Sequence, residues 1–214
     1  GVSPAFAQRI FKAYGQKSIE KVKENPYRLS TEIDGIGFKK ADAIAQQMGM
    51  DKDDADRIES GIEYALEQMA RMGHSCFPMD ELIKEAGMLL GVDFELVKIC
   101  LNKLAIAGRV VLKMLRKDGA TPQTFVWSKI NYQYEKEIAS EILRLQLFED
   151  NLLFNDWETA IEKSSKKHKI TLAEEQEKAV AKSLEEKIHI ITGGPGTGKS
   201  TITKVLLDIC LEQT

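Results

Sequence analysis

The sequence predicts a mostly α-helical chain with a short α+β segment in its middle and an α/β segment at its end. Apolar side chains recur at helical spacing over most of the 214 residues, which indicates amphipathic helices. Two runs rich in β-branched and aromatic residues, at 109–115 and 124–130, predict strands. A glycine-rich stretch at 193–201 separates a short apolar run from a last helical pattern, which is the order of an α/β unit.

Composition narrows the class of protein. Hydrophobic residues make up 43% and charged residues 29% of the chain, as in ordinary globular proteins. No apolar run approaches the roughly 18 residues that a membrane helix needs. The three cysteines and three histidines lie far apart and support neither a disulfide framework nor a zinc site, so a reducing cytoplasm is the expected location.

The net charge of −3 argues against a broad basic surface for nucleic acid. Basic residues nevertheless outnumber acidic ones in 1–50 and again in 109–130, whereas acidic residues dominate 51–108. Two short basic blocks favour local contacts with phosphate groups.

Two stretches near the N-terminus resemble each other at an offset of 34 residues, GVSPAFAQRI at 1–10 and GIGFKKADAI at 35–44. Each places a tight turn before an amphipathic helix, and Pro26 disfavours helix at Asn25 between them. The pattern predicts a tandem helix–hairpin–helix over residues 1–52.

The turn of the second hairpin is a candidate DNA contact. Its two glycines would direct backbone N–H groups at one phosphate, the isoleucine between them would anchor the turn in the core, and two lysines would add charge. An ordinary turn between helices is the alternative for a single pair of glycines, and the second copy favours DNA. In that copy Ser3 stands at the second glycine position, which makes it the weaker hairpin. The candidate residues of the stronger hairpin are Gly35, Ile36, Gly37, Lys39 and Lys40.

Residues 53–130 predict a winged-helix-like α+β domain. The pattern gives a helix near 56–70, a short strand in HSCFP, two helices at about 79–90 and 93–107, and the two strands. Asp93 is a plausible N-cap of the last helix. The basic loop between the strands, with Arg116 and Lys117, would contact the DNA backbone. The helix at 93–107 mixes acidic and basic residues, which disfavours sequence-specific reading.

The remaining chain divides into a helical linker at 131–169 and a last domain at 170–214. The run EKSSKKHK at 162–169 is polar and charged, which favours a solvated linker. The last domain is predicted to open with a helix, from a capping box of Thr171 and Glu174 to about residue 186. The strand KIHIIT at 187–192, the glycine loop and a helix from 199 towards 212 follow.

The stretch GGPGTGKS satisfies the phosphate-loop pattern G-x-x-x-x-G-K-[ST]. Glycines permit the positive φ angles that turn successive N–H groups towards phosphate oxygens, and the following helix adds its positive end. Lys199 would reach the outer phosphates as the catalytic residue of the loop, and Ser200 would hold Mg²⁺. A chance glycine-rich turn is the alternative, and the strand and helix predicted around the loop argue against it. The candidate nucleotide-binding residues are Gly193, Gly194, Gly196, Thr197, Gly198, Lys199, Ser200 and Thr201.

Gln176 lies seventeen residues before the loop, in LAEEQEKAV. An amide side chain donates to and accepts from adenine at the same time. A glutamine on a helix is nearly always a solvated surface residue, but its place before a phosphate loop favours an adenine contact. ATP and Mg²⁺ are therefore the predicted cofactors.

The order of these parts resembles that of long-form RecD-like DNA helicases, superfamily 1 motors related to the alpha subunit of exonuclease V. The segments that carry the resemblance span nearly the whole chain: GIGFKKADAIA, RIESGIEYALEQMARMGHSCFP, LAEEQEKAV and IITGGPGTGKST. The resemblance implies ATP-driven 5′ to 3′ movement on single-stranded DNA in repair or recombination, either alone or beside nuclease subunits. It assigns Lys199 and Ser200 to helicase motif I and Gln176 to the adenine motif.

The same resemblance implies that 170–214 is only the start of a RecA-like ATPase domain. The acidic pair, the arginine fingers and the DNA-gripping motifs would come later, so we expect this chain alone not to hydrolyse ATP at a useful rate. The strand at 187–192 would lack its partners. We expect it to be poorly ordered, shielded by 131–163 or paired with another copy of the chain.

Three other functions compete with this interpretation. A DNA-structure-binding repair module would use the hairpins alone, and its DNA affinity would not respond to nucleotide. A P-loop kinase or transferase would pass phosphate to a small acceptor and ignore DNA. A winged-helix transcription regulator ranks last.

Overall fold

The structure of the chain is a computed structural model that describes residues 4–116, 121–147 and 156–212. It divides into unit 1, Gly1–Glu135, and unit 2, Lys136–Thr214. Two of the candidate DNA contacts, Ser3 and Lys117, lie outside the described residues.

Unit 1 opens with short helices, as the hairpin pattern predicts. Helices α1 and α4 begin 34 residues apart, at Pro4 and Phe38, which is the offset of the sequence repeat. The chain is extended at Asn25, with φ −154° and ψ 101°, because the ring of the following proline excludes helical backbone there. The elements are α1 (Pro4–Tyr14), a 3-10 helix (Gly15–Lys17), α2 (Ser18–Glu24), α3 (Arg28–Glu32) and α4 (Phe38–Gln47).

The rest of unit 1 has the predicted order of helices and strands. Within the described residues its strands form one antiparallel sheet in the order β1–β3–β2, with Val126 of β3 opposite both Phe77 and Leu112. The carboxylate of Asp93 accepts from Glu95 N at 2.8 Å, which confirms it as an N-cap. The elements are α5 (Ala55–Arg71), β1 (Cys76–Pro78), α6 (Met79–Leu90), α7 (Phe94–Ile106), β2 (Val110–Leu115) and β3 (Gln123–Ser128).

One apolar core holds unit 1 together. Each helix of the α5–α7 group turns an i, i+3, i+4 stripe towards the sheet, and burial of these side chains supplies the main stabilising free energy. The hairpin helices join the same core through the turn at Ile33 and Ile36. Its innermost side chains are Leu29, Ile36, Ile58, Ile62, Leu82, Val97, Leu101, Leu104 and Val126.

Helices also make up the described part of unit 2. Helix α8 (Lys129–Leu147) begins in unit 1 and continues into unit 2, and the structure buries none of its side chains. Three further helices, α9 (Trp157–His168), α10 (Glu174–Glu185) and α11 (Lys199–Glu212), pack on one another. Their core consists of Ile161, Leu172, Val180, Ala181, Leu184, Ile202, Val205 and Ile209.

The predicted solvated linker at 162–169 is wrong, because residues up to His168 belong to α9. Ser164 is buried, and its hydroxyl donates to Asp208 of α11 at 2.8 Å. Lys167 Nζ lies 2.6 Å from the same carboxylate. The charged run is therefore the face of a helix that binds acidic groups 41–45 residues further along the chain, which composition alone does not reveal.

Acid should weaken this contact between α9 and α11. The hydrogen bond from Lys167, and then that from Ser164, hold the pKa of Asp208 well below its ordinary value. A depressed pKa in the folded state contributes stability above the unfolded pKa, and this is lost as pH falls through the folded pKa. We expect the melting temperature of unit 2 to fall as pH drops below about 4, the unfolded aspartate pKa. Thermal melting followed by Trp157 fluorescence, in the original chain and in an Asp208→Asn variant, measures the effect. The melting temperature of the variant should depend less on pH in that range.

The predicted strand at 187–192 is also wrong, since the structure gives these residues no strand. A strand needs backbone partners, and the described residues supply none beside it. Ile191 packs against the core of unit 2, whereas Ile190 is 79% exposed. The segment is thus neither fully shielded nor fully exposed.

The capping box predicted for Thr171 and Glu174 is wrong as well. Helix α10 begins at Glu174 with Ala173 at the N-cap, and Gln176 Oε1 accepts from Ala173 N at 3.0 Å. The side chain that closes this helix end therefore lies two residues later than predicted.

Among the described residues, no helix has both the length and the apolar character needed to cross a bilayer.

Candidate functional site

The glycine loop links residue 192 to the first turn of α11. Gly196 and Gly198 adopt φ angles of +78° and +83°, in the left-handed region that favours glycine. The chain then enters α11 at once, because the N–H groups of Thr201 and Ile202 both donate to Gly198 O. The loop therefore curls at the positive end of a helix, as a phosphate cradle requires.

The ammonium group of Lys199 lies inside this curl. Its Nζ donates to the carbonyl oxygens of Gly193 at 2.6 Å and Gly194 at 2.7 Å. Thr197 Oγ1 donates to the same Gly194 oxygen at 2.9 Å, which fixes the width of the turn. A full positive charge is thus held against two carbonyl oxygens at the start of the loop.

Gln176 joins the start of α10 to the loop. Its Nε2 donates to Thr197 O at 3.1 Å, while its Oε1 accepts from Ala173 N. A Cβ added at Gly198 would overlap Gln176 Nε2 and displace this amide, while the positive φ of Gly198 itself favours glycine. The structure therefore brings together the two parts of the predicted nucleotide site, which are 17 residues apart in the sequence.

The remaining loop residues fit a magnesium nucleotide. Ser200 is exposed on the first turn of α11, directly after the lysine, where its hydroxyl can meet a cation held by phosphate oxygens. Oxygen ligands are those that Mg²⁺ prefers, and Mg²⁺ usually binds through one or two protein oxygens together with substrate phosphates. The residues present therefore fit Mg²⁺ and a nucleoside triphosphate.

One of the two glycines of the second hairpin turn has a backbone conformation that favours glycine, whereas Gly37 is extended with φ −86° and ψ 172°. Gly35 has φ +82°, and Ile36 is only 2% exposed, which anchors the turn in the core of unit 1. Lys39 is exposed. Lys40 Nζ donates to Gly35 O at 3.0 Å and lies 4.4 Å from the ring centre of Phe6, so part of its charge is already engaged.

Arg9 on α1 is a hairpin residue that sequence reasoning missed. Its Nη1 donates to Asp34 O at 3.2 Å, and a Cβ added at Gly35 would overlap the same nitrogen. No local signal could have found this contact, because it joins residues 25 positions apart.

Arg116, the other described basic candidate, is exposed just beyond β2.

Arg57 is a buried charge that ties the hairpins to the rest of unit 1. Its Nε donates to Asp42 Oδ1 at 2.8 Å, and its Nη1 donates to Lys52 O at 2.8 Å and Leu90 O at 3.1 Å. Tyr27 donates its hydroxyl to the same carboxylate at 2.7 Å. Burial, followed by that hydrogen bond, raises the pKa of Tyr27 well above its ordinary value. The tyrosine therefore stays a neutral donor.

Comparison with known proteins matches two parts of the chain, one with the hairpins and one with the loop. Residues 1–76 match the family model described as the ATP-dependent RecD2 DNA helicase HHH domain, and residues 176–214 match an AAA domain. The chain is 31% identical to the ATP-dependent RecD2 DNA helicase of Deinococcus radiodurans, over 95% of this chain and 28% of that relative. The chain thus spans just over a quarter of the length of the curated relative, and its resemblance to RecD-like helicases is confirmed.

Proposed function

We propose, from the resemblance of this chain to RecD-like DNA helicases, that it is part of an ATP-dependent DNA helicase. In this proposal the loop at 193–201 binds the phosphates of ATP with Mg²⁺, and the hairpin at 35–40 contacts the DNA backbone without reading sequence. One observation carries the proposal: the side chains of Lys199 and Gln176 both donate hydrogen bonds to carbonyl oxygens of the loop.

The loop residues would act by position and charge. Mg²⁺ neutralises charge on phosphate oxygens and helps to orient them. Lys199 would exchange its bonds to two loop carbonyls for bonds to the outer phosphates, which carry more negative charge and are better acceptors. Ser200 would hold the cation through its hydroxyl. Gln176 would turn the amide groups that now bond to Thr197 O and Ala173 N towards adenine.

The hairpin would contribute DNA affinity. Lys39 is exposed beside Gly37, and the backbone there is rigid because Ile36 is buried. Arg116 and Lys117 would add a second contact with the backbone from the loop between β2 and β3. Contacts of this kind fix position on DNA and carry no direct sequence information.

The resemblance also supports finer features of the proposal. We propose 5′ to 3′ movement, a role in DNA repair or recombination in the cytoplasm, and a winged-helix-like domain at 53–130. The segment 170–214 would be the start of a RecA-like domain. Nuclease subunits are proposed partners.

Binding of ATP to this chain tests the nucleotide site. Titration calorimetry with ATP and Mg²⁺ should give a single site, and Gln176→Ala should weaken ATP more than GTP, since the amide is proposed to face adenine. A loss of about 1–3 kcal/mol is expected for one bidentate base contact. Glu177→Ala, one residue along the same helix, is the matched control. Equal weakening of ATP and GTP would exclude the adenine role and leave Gln176 a support of the loop.

Hydrolysis of ATP tests the motor. A longer protein that contains this chain should hydrolyse ATP faster with single-stranded DNA, and tailed duplexes should then reveal 5′ to 3′ unwinding. Hydrolysis that ignores DNA would favour a P-loop kinase or transferase, and DNA binding without hydrolysis would favour a repair module.

A further inference from the structure

A groove of about 700 Å³ lies in unit 1 beside the second hairpin turn. One wall is the turn and the start of α4, and the other is the middle of α5. The volume falls within the range of pockets that hold small ligands. The lining of the groove includes Gly37, Lys39, Ser60, Tyr64 and Gln68.

Two rings of an aromatic stack, Phe38 and Tyr64, line the groove. The rings of Tyr27 and Phe38 lie 5.9 Å apart and those of Phe38 and Tyr64 5.0 Å apart, at interplanar angles of 21° and 22°. Tyr27 and Phe38 are buried, but Tyr64 is half-buried. Tyr64 is thus the end of a stack of nearly parallel rings, and its position in the groove allows one more planar group to continue the stack.

The charges of the groove differ between its two ends. The acidic side chains of α5 are already paired, Glu63 with Arg109 and Glu67 with Arg71. At the hairpin end the exposed side chains of Asp34, Lys39 and Lys40 line the groove, and Lys40 also donates to Gly35 O. This end therefore carries two lysines against one aspartate, and its net positive charge favours an anionic group.

We propose that this groove binds one nucleotide of single-stranded DNA, with its base stacked on Tyr64 and its phosphate at Gly37 and Lys39. Stacking on an aromatic ring holds any base, and Gln68 and Ser60 offer polar groups to its edge. A base inside a duplex is already covered on both faces, so the groove selects unpaired strands. This inference rests on the proposed DNA contact of the hairpin and adds a base site to it.

The test uses the whole chain and a short single-stranded oligonucleotide that alternates thymine with 2-aminopurine, whose fluorescence is quenched by stacking. Wild-type chain and Tyr64→Phe should bind and quench. Tyr64→Leu removes the ring but keeps an apolar side chain, and should bind at least about fivefold more weakly, with the quench lost at saturation. Lys39→Gln should weaken binding and lower the salt dependence by about one charge, while the quench at saturation persists.

Tyr134→Leu is the matched control, because that tyrosine is 54% exposed on α8 and outside the groove. It should change neither binding nor quenching. The circular dichroism spectrum of each variant reports whether it is folded, and Tyr64→Phe separates loss of the hydroxyl group from loss of the ring.

The outcomes separate this inference from the proposed function. Equal quenching by wild-type chain and Tyr64→Leu overturns the base site, even if Lys39→Gln still weakens DNA binding. Equal affinity for a duplex of the same length overturns the selection of unpaired strands. Absence of binding to either form removes the DNA contact of the hairpin and the base site with it.

Discussion

Replacement of Arg57 by alanine should lower the free energy of unfolding of unit 1 by about 3–5 kcal/mol, the usual cost of breaking a buried ion pair from one side. The change would leave the carboxylate of Asp42, which is 21% exposed, without its cation. It would also remove the donor that now serves Lys52 O and Leu90 O. Unpaired polar groups in such a place cost more than the net gain of the bonds they normally make.

Urea unfolding followed by tryptophan fluorescence measures the effect. Trp127 lies in unit 1 and is 4% exposed, whereas Trp157 lies in unit 2, so a Trp157→Phe background isolates the signal of unit 1. The matched control is Arg71→Ala. Arg71 lies on the same helix and forms an exposed ion pair with Glu67. This replacement should cost less than about 1 kcal/mol. Similar losses for both arginines would refute the special role of the buried pair.

Replacement of Lys199 by alanine should reduce the affinity of the chain for ATP and Mg²⁺ by about tenfold to a hundredfold, the value of one or more hydrogen bonds to a charged group. The loop fold itself should survive, because its glycine angles and its entry into α11 do not depend on this side chain. In a longer protein with DNA-stimulated hydrolysis, the same change should abolish turnover, since the lysine is proposed to stabilise charge on the outer phosphates.

Lys204→Ala supplies the matched control for this experiment. Lys204 is exposed on the same helix one turn after the loop, so it changes the net charge equally without touching the cradle. Calorimetric titration of both variants separates a local contact from a general loss of positive charge. Equal losses of affinity would contradict the proposed role of Lys199.

Several features could be predicted from the sequence because neighbours in the chain decide them. Helix α6 follows the predicted bounds of 79–90, and α11 begins at the lysine that ends the glycine pattern. Asp93 caps its helix through the residue two positions on. The loop at 193–201 has positive φ at Gly196 and Gly198, where only glycine adopts such angles at little cost.

Other features could not be predicted, because their partners are far away in the sequence. The charged run at 162–169 has the composition of a solvated linker, but its lysines form ion pairs with Asp208 and Glu212 of α11. The apolar run at 187–192 has the composition of a strand, yet composition cannot supply the neighbouring backbone that a strand needs. A sequence pattern states what a segment can bury or pair, and only packing decides whether it does so.

The sequence by itself determined most of the helices, the turn at Gly35 and the curl of the phosphate loop, since these depend on backbone sterics and on contacts within a few residues. Only the tertiary structure decided that Gln176 bonds to Thr197, that Arg57 joins three segments of unit 1 and that Tyr64 ends a stack beside the hairpin. These contacts join residues that lie 15 to 33 positions apart in the sequence. Their geometry is fixed by burial of the cores around them, because apolar packing is non-directional and the polar groups must then find the partners it brings near.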